Sequence, residues 1–131
     1  MKIEHIAIWV EDTDKVCEFY RKYFGGVVQP LYHNPKKQFT SRFITFDDGA
    51  RLEIMHRPDI NVRTAEASQH AEHIGFAHIS FSVGSKEKVD QLTQQMSNNG
   101  ITIIGQPRIT GDGYYESVVL DPEGNRIEIT E

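Results

Sequence analysis

Apolar positions change their spacing from that of a strand to that of a helix twice along this chain of 131 residues. The first ten residues have the β-branched content of a strand, and the segment "EDTDKVCEFYRKYFGG" then places apolar side chains at helical intervals. Asp12 is the predicted N-cap of this helix, and Gly25 is its predicted end. Three strands are expected next, at Val27–Tyr32, Arg42–Asp47 and Ala50–His56, and "DDG" predicts a hairpin between the last two.

The same order of elements is predicted again from residue 76 onwards. A strand in "GFAHISFSV" precedes a helix in "SKEKVDQLTQQMSNNG", which we expect to begin after Ser85 and to end at Gly100. Three strands follow, at Ile101–Ile104, Tyr115–Leu120 and Asn125–Thr130, and the turn "DPEGN" joins the last two. Each half is therefore predicted to contain a strand, a helix and three strands.

The residues themselves also repeat. The segment "GARLEI", at Gly49, returns as "GNRIEI", at Gly124, and "HIAIWV", at His5, aligns with "HISFSV", at His78. A unit that cannot bury its own sheet face must pack on its copy, so the repeat favours a single domain built from two modules.

The predicted modules span about residues 1–56 and 76–131. Residues 57–75 have no clear period, and we interpret them as a linker that also covers the sheet. The "HAEH" segment at His70 to His73 is interpreted as part of an ordinary polar loop.

Alternate side chains of a strand share a face, so the faces can be assigned by counting. In the four strands that carry the repeats, the uniformly apolar face is expected to pack on the helices. The opposite face carries one histidine and one glutamate from each half: His5, Glu53, His78 and Glu128.

The second face of an antiparallel sheet is often solvated, and polar residues there need no special explanation. This face, however, also carries large or apolar residues that favour a sheltered cavity: Trp9, Met55, Ala7 and Phe76. If the halves bring the four polar side chains together, two imidazoles and two carboxylates form a ligand set suited to Zn, Ni, Co, Mn or Fe. Four protein ligands on an octahedral ion leave two positions for water or substrate.

Composition narrows the choice of partners. The net charge is −5 and no Lys/Arg block occurs, which argues against nucleic-acid binding and favours a small-molecule partner. No apolar run reaches the length of a membrane span, and the N-terminus is charged too early for a signal peptide, so we expect a cytoplasmic protein without a membrane partner. The single cysteine, Cys17, falls inside a predicted helix and is interpreted as a partly buried, unreactive thiol.

The segments "EHIAIWVEDTDKVCEFYRKYFG", "GARLEIM", "GFAHISFSV" and "LDPEGNRIEI" make the chain resemble the vicinal oxygen chelate superfamily, the glyoxalase, bleomycin resistance and dioxygenase group. The similarity covers essentially the whole chain. It implies an α+β fold in which tandem βαβββ modules form a curved mixed sheet around a metal site. The family's ligand positions fall on His5, Glu53, His78 and Glu128, a set that resembles the glyoxalase I (lactoylglutathione lyase) branch more than the three-ligand branches.

This resemblance implies a metal-dependent lyase or isomerase that acts on the hemithioacetal of a 2-oxoaldehyde and a thiol. The substrate would pass through an enediolate chelated by the metal. By the same resemblance, Glu128 and Glu53 carry the catalytic proton transfer, and His5 and His78 help to hold the ion. A homodimer is also expected.

Two positions depart from the glutathione-using members, which carry Arg and Asn where this chain has Trp9 and Arg57. An aromatic ring cannot pair with a glutathione carboxylate as arginine does, so the identity of the thiol stays open. We assign Trp9, Met55 and Arg57 to substrate binding. The alternatives are a metal-dependent thiol transferase or epimerase on the same scaffold, and a metal-free drug-binding resistance protein.

Overall fold

The computed structural model describes residues 3–60, 76–111 and 113–131. The chain divides into two compact units, Met1–Glu66 and Ala67–Glu131, and each contains one described helix and one mixed sheet. The fold class is α+β, as the sequence predicts. The first four residues of the proposed linker at residues 57–75 are described. The rest of it, with His70 and His73, lies outside the described residues.

The first unit begins with β1 (His5–Trp9) and α1 (Thr13–Phe24). Four strands follow: β2 (Val27–Val28), β3 (Tyr32–Asn34), β4 (Phe39–Thr45) and β5 (Arg51–His56). The sheet has the order β1-β5-β4-β2, and β3 also pairs with β4. Strand β1 is parallel to β5, whereas the other pairs are antiparallel.

The ends of α1 are those that the sequence predicts. The carboxylate of Asp12 accepts a hydrogen bond from the backbone N–H of Lys15 at 2.9 Å, and Gly25 adopts a left-handed conformation with φ of 66°. The helix packs on β2, β4 and β5. The core of the first unit is formed by buried side chains of the helix and the sheet: Val16, Cys17, Phe19, Tyr20, Ile44, Leu52 and Ile54.

The prediction of one strand over Val27–Tyr32 is wrong, because β2 ends at Val28 and β3 begins at Tyr32. Pro30 lies between them, and proline has no N–H to donate to a strand ladder. The two short strands pair with different parts of β4. Gly26, just before β2, lies so close to the Ile44 side chain of β4 that an added Cβ would be 2.5 Å from its Cγ2 atom.

The second unit contains β6 (His78–Ser82), α2 (Lys86–Asn98) and three further strands. These strands are β7 (Ile103–Ile109), β8 (Tyr115–Leu120) and β9 (Arg126–Thr130). The sheet has the order β6-β9-β8-β7, with β6 parallel to β9 and the other pairs antiparallel. The predicted order of elements and the predicted N-cap of α2 at Ser85 are confirmed, since the Ser85 hydroxyl accepts from the N–H of Lys88 at 3.3 Å.

The predicted strand at Ile101–Ile104 has the wrong bounds, because β7 continues through Gly105 and Pro107 to Ile109. Its pairing with β8 shifts register between Ile103 and Arg108. A bulged strand at the edge of a sheet tolerates a proline, which a regular central strand does not.

The predicted alternation of faces is confirmed. Leu52 and Ile54 of β5, and Ile127 and Ile129 of β9, are buried, and the residues between them lie on the opposite face. The buried face of the second sheet packs on α2, where the hydroxyls of Thr93 and Ser117 share a hydrogen bond of 2.6 Å. Neither helix in the described part of the chain is long and apolar enough to cross a membrane.

Candidate functional site

His5 and Glu53 share one face of the first unit's sheet, on two adjacent parallel strands. Glu53 of β5 lies directly opposite Ala7, so that His5 is its diagonal neighbour on β1. The Nε2 atom of His5 is 3.9 Å from Oε2 of Glu53, and the Glu53 side chain is only 15% exposed. A histidine and a carboxylate that are distant in sequence therefore converge on the face opposite the helix.

His78 and Glu128 have the same arrangement within the second unit. Glu128 of β9 lies opposite Ser80, which makes His78 its diagonal neighbour on β6. The Nε2 atom of His78 is 3.1 Å from Oε2 of Glu128, whose side chain is 20% exposed. The two sheets thus present the same pair of chemical groups at the same register.

The separations of these atoms fit ligands of one divalent ion. Two donors that are each about 2.1 Å from an ion lie about 3 Å apart at right angles, and at most about 4.2 Å apart. Both observed separations, 3.1 and 3.9 Å, fall within that range. Across the parts of the chain that the structure describes, no three or more His, Cys, Asp or Glu side chains come together as a metal site. Each His–Glu pair therefore offers two donors and, among these residues, no third.

Aromatic and charged groups hold the imidazole of His5 from its other sides. Its ring meets Phe43 edge-on with 5.4 Å between the ring centroids, and its Nδ1 donates a hydrogen bond to the carboxylate of Glu4. Arg51 donates to the other oxygen of Glu4, and its guanidinium lies 4.0 Å from the centroid of the Phe43 ring. The hydrogen bond from His5, followed by that from Arg51, holds the pKa of the Glu4 carboxyl below its usual value.

Glu116, which was not among the residues predicted from the sequence, lies on the Glu128 face of the second sheet. It is opposite Thr130 in the register, its side chain is mostly buried, and its carboxylate is 3.5 Å from a guanidinium nitrogen of Arg108. Counting alternate residues in β8, as in the other strands, would have placed it on this face.

The three residues assigned to substrate binding lie together in the first unit. Trp9 is opposite Met55 on the face that carries Glu53, and the guanidinium of Arg57 lies 5.5 Å from the centroid of the Trp9 ring. Phe39 meets Trp9 edge-on at 6.0 Å, and Tyr32 lies next to Phe39 at 6.1 Å. Phe39 was not predicted here, because the strand was expected to begin at residue 42 and not at residue 39.

The expected shelter for the apolar residues of this face is only partly present. Trp9 is 42% exposed, and Phe76 is 92% exposed at a position before the start of β6. Among the described residues, the second sheet therefore does not bury the Phe76 side chain.

Cys17 lies in α1, on the other side of the first sheet from the His5 face. It is 4% exposed, and its burial raises the pKa of the thiol to about 11. A thiol that stays protonated at neutral pH is a poor nucleophile. Cys17 is thus more fully buried than the sequence predicts, and the raised pKa of its thiol supports the interpretation of an unreactive side chain.

Residues 2–129 match the family described as the Glyoxalase/Bleomycin resistance protein/Dioxygenase superfamily. The uncharacterized protein YqjT of Bacillus subtilis (strain 168) is 25% identical over 130 residues, which are 97% of this chain and 96% of YqjT.

Two solved structures illustrate the structural similarity. The protein SMU.1112c is 26% identical and has a TM-score of 0.78, with 100% of this chain and 98% of that chain covered. The trypanothione-dependent glyoxalase I of Leishmania major is 21% identical and has a TM-score of 0.77, with 100% of this chain and 86% of that chain covered.

Proposed function

The chain belongs to the Glyoxalase/Bleomycin resistance protein/Dioxygenase superfamily, and on that basis we propose that it is a metal-dependent enzyme of the glyoxalase type. Its substrate would be the hemithioacetal of a 2-oxoaldehyde and a thiol, and its product the thioester of a 2-hydroxy acid. The observation that carries this proposal is the equal placement of His5 with Glu53 and of His78 with Glu128 in the two sheets.

Four side chains are proposed to bind the ion: His5, Glu53, His78 and Glu128. Each pair offers one imidazole nitrogen and one carboxylate, and two such pairs complete the four-ligand set that Zn, Ni, Co, Mn or Fe accepts. The proposal holds whether both pairs come from one chain or from two chains of a homodimer. A divalent ion bound there would supply Lewis acidity toward the two adjacent oxygens of the substrate.

Glu128 is proposed as the base that moves the proton. Its carboxylate would take the proton from one carbon of the hemithioacetal and return it to the neighbouring carbon, so that the reaction conserves all atoms. The strand backbone fixes the direction of this side chain, and His78 lies 3.1 Å from its Oε2. Glu53 has the equivalent position in the first unit and would act as the second proton carrier.

Trp9, Met55 and Arg57 are proposed to bind the apolar and anionic parts of the substrate. Trp9 presents an exposed ring, and Arg57 brings a cation over that ring at 5.5 Å. Since Trp9 stands where glutathione-using members carry arginine, we propose that the thiol is recognised through apolar contact as well as charge.

The test is an assay of protein loaded with Ni²⁺ or Zn²⁺, using methylglyoxal and a panel of thiols that includes glutathione. We expect thioester formation with at least one thiol and a loss of about 10²- to 10⁴-fold in kcat for Glu128→Gln, the usual range for a general base. Glu116→Gln is the matched control, because it removes a carboxylate from the same face outside the His–Glu pair. If metal-loaded protein forms no thioester with any thiol, the proposal of a glyoxalase reaction is wrong.

The same assay separates the competing functions. A thiol transferase or epimerase would bind the metal but form no thioester from methylglyoxal. A drug-binding resistance protein would bind an aromatic ligand equally well with and without the metal. The exposed rings of Trp9 and Tyr32 are the observation that favours this last alternative.

A further inference from the structure

The two histidines of the repeat differ in what lies against their second ring nitrogen. Nδ1 of His5 donates to the carboxylate of Glu4, the residue that precedes it in the chain. The residue that precedes His78 is Ala77, which has no polar side chain. Within the described residues, no hydrogen bond to Nδ1 of His78 is present. Among these residues, the bond that Glu4 makes to His5 therefore has no equivalent in the second unit.

The bond to Glu4 determines which nitrogen of His5 carries a lone pair. A neutral imidazole has one N–H, and a carboxylate at Nδ1 places that hydrogen there, leaving Nε2 free to act as an acceptor or a metal ligand. Nε2 is also the atom that lies 3.9 Å from the Glu53 carboxylate.

Glu4 is itself held in place by Arg51. The guanidinium of Arg51 donates to Oε1 of Glu4, while His5 occupies Oε2. The backbone N–H of Arg51 also donates to the backbone carbonyl of Glu4 at 3.0 Å, which ties the start of β1 to β5. The Arg51 guanidinium lies over the Phe43 ring, and the same ring makes an edge-on contact with the imidazole of His5. Three side chains, those of Glu4, Arg51 and Phe43, thus surround the imidazole of His5 or hold its partner in place.

We propose that Glu4, held by Arg51, is a positioning residue that prepares His5 for metal binding through Nε2. Outer-shell carboxylates of this kind orient a ligating histidine and increase its affinity for the ion. The inference rests on the proposed metal site for its purpose, but the tautomer that it requires is a property of the metal-free protein.

The first measurement is the tautomer of each histidine in metal-free protein, read from two-bond ¹⁵N–¹H couplings by NMR at pH 8. His5 is expected to carry its hydrogen on Nδ1, and His78 serves as the reference in the same spectrum. In Glu4→Ala, His5 should change to the Nε2–H tautomer, which free imidazole side chains favour in water. In Glu4→Gln it should keep Nδ1–H, because the amide oxygen still accepts. The inference is overturned if His5 has the same tautomer in Glu4→Ala as in the wild type.

The second measurement is the affinity of metal-stripped protein for Ni²⁺ by calorimetry. Glu4→Ala is expected to weaken binding about 10- to 100-fold, the range for loss of an outer-shell partner. Glu18→Ala is the matched control, because it removes the same charge from an exposed pair with Arg21 on α1. Equal affinities for these two variants would overturn the inference and leave the proposed function standing. If the wild type binds no Ni²⁺, the proposed function fails, and the NMR result still decides the tautomer.

Discussion

Nε2 of His78 lies 3.1 Å from Oε2 of Glu128, on the first and last strands of the second unit. These strands are parallel neighbours, so about 50 positions of chain return to bring the two side chains together. His5 and Glu53 have the same relationship in the first unit, at 3.9 Å. The parallel pairing of first and last strands is the feature of the fold that builds each pair.

Replacement of Trp9 by Ala is expected to raise KM about tenfold and to leave kcat nearly unchanged. The ring offers aromatic contact in both the ground state and the transition state, and such contact is worth about 1 kcal/mol or more. Steady-state kinetics of metal-loaded protein provide the test, with Tyr114→Ala, an exposed aromatic of the second unit, as the control.

Trp9 is also the only tryptophan of the chain, so a ligand that binds over it should change the intrinsic fluorescence directly. A variant whose kcat falls while KM stays constant would contradict the assignment of Trp9 to uniform substrate binding.

Gly26→Ala is expected to destabilise the protein by about 1–3 kcal/mol, the usual cost of overpacking a core. An added Cβ would lie 2.5 Å from Cγ2 of Ile44, a fully buried side chain, so that something in the core must shift. Gly111→Ala is the matched control, because an added Cβ there meets no atom of the described residues within 4 Å, its chain neighbours aside. Urea denaturation measures both variants, and equal midpoints would show that the contact at Gly26 relaxes without cost.

The stability of the protein is expected to fall between pH 9 and about 11 because of Cys17. Burial raises the pKa of this thiol from 9.0 to about 11, so in this window the unfolded chain loses the proton while the folded chain keeps it. The folded chain then binds more protons than the unfolded chain. The free energy of unfolding therefore decreases as pH rises, by at most about 3 kcal/mol.

Lysines and tyrosines also titrate in this range, so the Cys17 contribution is the difference in pH slope between the wild type and Cys17→Ala. Urea denaturation at several pH values gives both slopes. Identical slopes would mean that the thiol titrates alike in the folded and unfolded chains.

The sequence predicted the helix ends and the faces well because those signals are local. Asp12, Gly25 and Ser85 act on backbone groups within a turn of the helix. The alternation in "RLEI" and "RIEI" assigns Glu53 and Glu128 to a face without any knowledge of the neighbouring strands.

Pairing and contact between distant segments were not accessible in the same way. The interruption at Pro30 could be suspected from the sequence, but not the return of Tyr32 to the far end of β4. The bond from His5 to Glu4 is also unexpected, because adjacent residues in a strand point to opposite faces. Glu4 lies just before β1, where that alternation does not apply.

The central claim is that one divalent ion binds to the two His–Glu pairs, and calorimetric titration of metal-stripped protein with Ni²⁺ and Zn²⁺ tests it most directly. Glu53→Gln and Glu128→Gln each replace one proposed ligand carboxylate by a neutral amide, and Glu116→Gln replaces a carboxylate that is not a proposed ligand. We predict one ion per pair of units, bound at least tenfold more weakly in both ligand variants and within about threefold of the wild type in the control. The absence of binding, or binding that neither ligand variant changes, would contradict the claim.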